Sequence, residues 1–227
     1  MTGLALVLMV LVFFASLAIQ WWLQRTYARY SRMANARGLT GAEVARSILD
    51  AHGLNGVRVE MAPGVLTDHY DPMAKAVRLS EPNFHSPSLA ALAVAAHEVG
   101  HAVQDARGYA WLRVRASLLP AANLGSNLGP ILVLVGLGLG AVGLAQLGIY
   151  LFLAVALFQL VTLPVEFDAS RRALGFLQKM GFLTPREMPA ARQVLTAAAL
   201  TYVAALASTL ATILYYASLL GLGRREE

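Results

Sequence analysis

The 227-residue chain contains no cysteine. That excludes disulfides, iron–sulfur centres and thiolate zinc sites, so any transition metal must be held by histidine and carboxylate. Charge is scarce as well: Asp, Glu, Lys and Arg make up 14% of residues against 57% hydrophobic, and the mean hydropathy is +0.57. Soluble domains carry about 25% charged residues, so this balance points to a membrane protein. The charge that is present sums to +5, with a pI near 9.8. No aromatic-interleaved basic patch or nucleic-acid motif accompanies it, which argues against nucleic acid as a partner. Most of the excess flanks apolar segments, as the positive-inside bias of membrane proteins predicts. Internal repeats and low-complexity linkers are absent too.

Leu4 to Leu23 is an apolar run of about the ~20 residues a bilayer crossing needs. Trp21 and Trp22 close it, and Arg25, Arg29, Arg32 and Arg37 follow before the first acid, Glu43. Met1-Thr2-Gly3 lacks the positive start of a cleaved signal peptide, so residues 1–23 read as an uncleaved anchor with its arginines in the cytoplasm. Residues 24–117 are the expected cytoplasmic region. In it, Thr40-Gly-Ala-Glu43 is a capping-box pattern that opens a helix ending near Gly53. Val57–Met61 and Ala76–Leu79 alternate like strands around the polar turn Leu66–Pro72. That pattern predicts a two-strand hairpin, whose edge an extended peptide could join. Ser86 as N-cap and Pro87 at the first helical position predict a helix from there to about Ala106.

Leu118 to Val165 holds no charged residue across 48 positions, which suits two crossings joined near the glycines between Gly136 and Gly148. Asn123, Ser126 and Asn127 are unusual there and serve either to bind helices together or to line a wet cavity. Residues 166–193 then return as a second cytoplasmic segment. Its first helix is expected to start after Pro164, with a further capping box at Thr184-Pro-Arg-Glu187 and an interruption at Pro189. Residues 194–227 are the expected C-terminal transmembrane helix and tail. Eleven Lys/Arg against eight acids in 24–117, and five against three in 164–193, put both segments on the same side. Arg224-Arg225 at the far end runs mildly against that rule. The fold class expected is mainly α: a multi-pass helical membrane protein with a small cytoplasmic α+β zinc subdomain.

The chemistry is concentrated in His97-Glu98-Val99-Gly100-His101. On a helix, positions i and i+4 share a face, so both imidazoles can reach one ion while Glu98 reaches water on its open side. The neighbours Val94, Ala95, Val99, Ala102 and Val103 are apolar, a setting where ionisable groups need partners. Extension to H-E-x-x-H-x-x-G-x-x-H fails at Gln104 and Arg107, so the third ligand is distant in sequence. Glu166 and Asp168 follow the third apolar segment and, on a helix, point about 200° apart. Only one can face the metal. Glu166 is preferred for its longer arm and for Ser170 one turn on, which could orient a ligand. Asp105 could steady a histidine ring or simply be solvated. His69 and Tyr70, ahead of Arg171 and Asn123, are the candidates to stabilise the oxyanion of a peptide-bond hydrolysis.

Five blocks carry a resemblance: LTGAEVARSILDAHGLNGVRVE, PGVLTDHYDP, VAAHEVGHAVQ, TLPVEFDASRRAL and LTAAALTYVAA. Covering most of residues 39 to 206, they resemble the YugP-type membrane zinc metallopeptidases of bacteria. The resemblance implies a multi-pass neutral zinc metallopeptidase with His97 and His101 as ligands and Glu98 as acid/base. Glu166-Phe-Asp-Ala-Ser170 is more distantly similar to the E-x-x-A-D element of HtpX and Ste24-type membrane proteases. That similarity favours Glu166 as ligand, while Ser170 departs from the Asp of the pattern.

The reading is therefore a zinc metalloendopeptidase of gluzincin-like type in the bacterial inner membrane, its site facing the cytoplasm. One Zn²⁺ per chain sits on His97, His101 and Glu166, and Glu98 is general acid/base for a zinc-bound water. Its partners are a peptide or membrane-protein substrate and the lipid bilayer. The alternative is a non-enzymatic membrane protein with a structural or sensory zinc site. Against it, an adjacent free glutamate suits an open coordination position, whereas structural sites are closed.

Overall fold

The structure, a computed structural model, describes residues 2–221; Met1 and residues 222–227, including Arg224-Arg225, lie outside the described residues. The chain forms α1 (Thr2–Tyr30), α2 (Gly41–Ala51), β1 (Arg58–Ala62), β2 (His69–Asp71) and β3 (Ala76–Ser80). There follow α3 (Glu81–His85), α4 (Leu89–Ala106), α5 (Ala110–Gly138), α6 (Val142–Lys179) and α7 (Met188–Leu219). The protein is mainly helical, and α1, α5, α6 and α7 are each long and apolar enough to cross a membrane. Two compact units divide it: one draws on residues 21–112 and 164–200, the other on the rest of the chain.

In the first unit, α2 starts where the sequence predicts. Thr40 Oγ1 accepts from the Glu43 N–H at 3.3 Å, and the Glu43 carboxylate accepts from the Thr40 N–H at 2.8 Å. Such a reciprocal cap satisfies two of the N–H groups a helix start leaves open. It presents Val44, Ala45, Ile48 and Leu49 as one buried face. That face packs with Leu79, Leu92, Val99, Leu177 and Leu195 in a single core.

The sheet differs from the expected hairpin. Its order is β1-β3-β2, with β1 parallel to β3 (Arg58↔Ala76 to Ala62↔Ser80) and β2 antiparallel to β3 (His69↔Arg78 to Asp71↔Ala76). Charge on one face explains why the short polar segment His69–Asp71 is a strand at all. Arg78, on the central strand, donates to Glu60 of β1 at 3.0 Å and to Asp71 of β2 at 2.7 Å, bracing all three strands. The Asp71 carboxylate also accepts from the Met73 and Ala74 N–H groups and so closes the turn into β3.

The N-terminus of α4 differs as well. Ser88, not Ser86, is the N-cap, and its Oγ accepts from the Ala91 N–H at 3.1 Å. Pro87 lies just before the cap, where its carbonyl accepts from the Asn35 N–H and side-chain amide while Ala34 bridges Ser88. This pairing holds the segment extended and delays the helix. α6 runs unbroken through Pro164, so Glu166 sits inside a helix and not at its first turn. Thr184–Glu187 forms a side-chain-bonded turn ahead of α7, with Glu187 accepting from both the Thr184 N–H and hydroxyl. Pro189 then lies in the first turn of α7, where its missing N–H costs nothing.

In the other unit, α5 and α6 join at residues 139–141, inside the predicted glycine stretch. They touch along glycines. A Cβ on Gly125 would lie 2.4 Å from the Leu151 carbonyl, and one on Gly136 would lie 2.4 Å from the Ala145 nitrogen. Small residues allow this main-chain approach between apolar helices. Ser16 and Ser208 hydroxyls meet at 2.9 Å, joining α1 to α7. Ser126 and Asn127 bond carbonyls one turn back on α5 itself.

Candidate metal centre

The centre lies in the unit formed by residues 21–112 and 164–200, where α4 meets α6. Gly100 makes the meeting close: a Cβ there would stand 2.8 Å from the Ala169 carbonyl oxygen and 3.2 Å from its Cα. Helix backbones approach this far only where a side chain is missing. Gly100 stands between the two histidines of α4, and Ala169 lies three residues past Glu166. The crossing therefore brings the carboxylate to the imidazoles.

His97 Nε2 lies 3.2 Å from Glu166 Oε2, and His101 Nε2 lies 3.6 Å from the same oxygen. One potential ligand atom from each of the three residues falls within 4.8 Å of the others. The two rings stand nearly perpendicular, at 87°, with centroids 4.8 Å apart. Glu166 and His101 are buried, at 2% and 8% exposure. The remaining ring nitrogens have partners: His97 Nδ1 faces the Ser170 hydroxyl at 3.1 Å, and His101 Nδ1 faces Gln104 Oε1 at 3.0 Å. Burial works against a charged His101 ring, yet the Glu166 carboxylate prevails and raises its pKa.

Asp168 points elsewhere. Its carboxylate accepts from the Gln104 amide at 3.0 Å, from Arg172 at 2.5 Å and from Arg171. Two helical steps beyond Glu166, it faces away from the histidine pair, and it holds the otherwise exposed Arg171 as well.

Glu98 is buried beside the ligand pair. Burial pushes its carboxyl above the usual range, with Glu166 and Asp68 adding to the rise and the two histidines opposing it. Tyr70 donates its hydroxyl to Asp105 at 2.7 Å, and Lys75 bonds the same oxygen at 2.6 Å, so Asp105 serves the sheet side of α4 and no histidine ring. His69 is exposed, its Nδ1 against the Thr67 carbonyl at 2.8 Å. Asn123 belongs to the other unit.

Two residues of this neighbourhood escaped the sequence reading. Gln104 is fully buried and bonds His101, Asp168 and the Val165 carbonyl. Its signal was its place, three residues past His101 on the same helix. Asp68 accepts from the Ser80 N–H and hydroxyl and from Asn83, which in turn accepts from the Tyr27 hydroxyl. No local pattern marked it, because its partners Ser80 and Asn83 lie beyond the next strand.

The donor set fits zinc. Two imidazole nitrogens and one carboxylate oxygen are borderline-hard ligands, and three such ligands leave a fourth tetrahedral position for solvent. Over residues 5–221 the chain matches the family described as "Putative neutral zinc metallopeptidase". It is 45% identical over 216 residues, 93% of this chain and 96% of the relative, to the "Putative membrane protease YugP" of Bacillus subtilis (strain 168). No solved structure matches the chain.

Proposed function

Because this chain belongs to the neutral zinc metallopeptidase family, we propose that it is a membrane-embedded, zinc-dependent metalloendopeptidase of the gluzincin-like, His₂Glu kind. One Zn²⁺ per chain is held by His97, His101 and Glu166. The observation that carries this reading is the convergence of those three side chains within 4.8 Å in a buried place. Two imidazoles and one carboxylate turned toward a common point are the donor set and number that an open zinc site uses.

Zinc, when bound, supplies the Lewis acidity that makes water a nucleophile near neutral pH. Glu98 takes up the proton that water gives and later returns it to the leaving amine. A carboxyl pushed up by burial holds that proton more firmly, which suits the role. For the oxyanion we choose His69 ahead of Tyr70. The Tyr70 hydroxyl hydrogen is committed to Asp105, while His69 Nε2 is left without a hydrogen-bond partner among the described residues. β1 and β2 are the two edges of the sheet, and an extended peptide could add to either. The basic excess beside the apolar segments supports a site on the cytoplasmic side of a bacterial inner membrane, acting on peptide or membrane-protein substrates.

The test compares wild type with Glu98→Gln for zinc content and for cleavage of an unfolded casein-like substrate. Equal zinc with cleavage reduced at least ~100-fold is expected from loss of a general base. Cleavage by neither protein, with zinc intact in both, refutes the enzyme.

A further inference from the structure

Of the two histidines, only one has its tautomer dictated by its surroundings. His97 Nδ1 faces the Ser170 hydroxyl, which can either donate or accept. His101 Nδ1 faces the carboxamide of Gln104, which has two distinct ends. The outer end lies 2.8 Å from the Val165 backbone carbonyl and 3.0 Å from an Asp168 carboxylate oxygen. A backbone carbonyl can only accept, and so can an ionised carboxylate. The amide end that meets them must therefore be the NH₂. Its other end, the oxygen, is then the one 3.0 Å from His101 Nδ1. An oxygen with no hydrogen requires Nδ1 to carry a proton, so in the neutral ring that a metal binds the lone pair lies on Nε2, the nitrogen turned toward Glu166.

We infer that Gln104 is a positioning residue that fixes His101 in the metal-binding tautomer, with the Val165 carbonyl and Asp168 setting the direction of its amide. Arg172 and Arg171 hold Asp168 in turn. The chain of bonds thus runs from the polar flank of α6 to one ligand nitrogen on α4. Burial makes the arrangement strict, because Gln104 has no solvent to bond if its amide turns over. The inference rests on the zinc reading above.

The experiment measures zinc affinity, by competition with a chromophoric chelator, and thermal unfolding of EDTA-treated protein for wild type, Gln104→Met, Gln104→Glu and Asp168→Asn. Methionine keeps the length but loses the acceptor for Nδ1 and the donor to Val165 and Asp168, so zinc should bind about 10–100-fold more weakly and the metal-free protein should melt below wild type. Glutamate keeps an acceptor for Nδ1 but sits beside Asp168. It should hold zinc more tightly than methionine and unfold more easily. Asp168→Asn weakens one of the two contacts that orient the amide and leaves the Val165 carbonyl in place, so zinc affinity should fall by less than with methionine while the loss of both arginine pairs lowers stability.

Affinity and stability that rise and fall together across the set would show a packing role only and overturn the inference, as would a methionine variant with wild-type zinc affinity. Wild-type protein that takes up no zinc overturns the zinc reading itself.

Discussion

Gly100→Ala tests the idea that one missing side chain sets the ligand spacing. The added Cβ would stand 2.8 Å from the Ala169 carbonyl oxygen, where ordinary contact begins at 3.4 Å. Relief requires α4 and α6 to part by about 0.6 Å there, since repulsion rises steeply inside contact distance. Glu166 rides on the same stretch of α6, and zinc ligand distances tolerate only ~0.2 Å. Overpacking costs ~1–3 kcal/mol, while alanine gains ~1 kcal/mol over glycine in a helix, so the metal-free fold should lose at most ~2 kcal/mol. Zinc affinity should fall at least tenfold, about 1.4 kcal/mol. The assay is chelator competition in detergent, with melting of the EDTA-treated protein as the control for folding. Adding Ala169→Gly should not restore binding, because the obstructing atoms are main chain. A folded Gly100→Ala protein that binds zinc within about threefold of wild type refutes the reasoning.

Three further outcomes are expected. His69→Ala should lower kcat about 10²-fold at intact zinc content, as loss of an oxyanion donor does, and Tyr70→Phe should lower it far less; steady-state kinetics showing the reverse order would exchange their roles. The Asp71 carboxyl is held below its usual range by the Ala74 N–H, with the Met73 N–H and Arg78 assisting. A carboxyl depressed in the folded state stabilises it above the ordinary value of about 4, and that contribution is lost as pH falls through the lower folded value. The Tm gap between wild type and Asp71→Asn should therefore be widest near neutrality and close in acid; a gap constant from pH 7 to strong acid refutes this. Finally, Met73 is 93% exposed in a chain without native cysteine. A Met73→Cys variant in intact cells should resist an impermeant thiol reagent until the membrane is opened, and immediate labelling would reverse the proposed sidedness.

Legibility in the sequence followed the range of each interaction. The pairing of His97 with His101 depends on helical spacing alone, and the separation of Glu166 from Asp168 depends on the same angle. The Thr40 cap is equally local and starts α2 where its residues predict. The sheet was less legible: β1 and β3 are parallel neighbours, so the intervening segment had to find the far edge of β3. Its pairing is held by Arg78 reaching both outer strands, a bond pattern invisible to alternation. Ser86 reads as a helix cap because Ser-Pro is a strong local signal, but the bonds from Asn35 to the Pro87 carbonyl come from fifty residues upstream. Gln104 is hidden for a similar reason. Its partners at residues 165 and 168 lie on another helix, and its spacing from His101 is the one local sign of its role.

Across the α5–α6 contact, main-chain atoms stand within 2.8 Å of where a Cβ on Gly125, Gly136 or Gly148 would lie, and main chain cannot be reshaped. A substitution library read out by membrane yield should show an intolerant line through Gly125, Gly136 and Gly148, flanked by outward positions such as Leu124, Leu128 and Leu134 that accept almost any apolar residue. The α5–α6 pair would then diversify freely on its lipid side while its inner line stays frozen, so drift among relatives should be written on one face only.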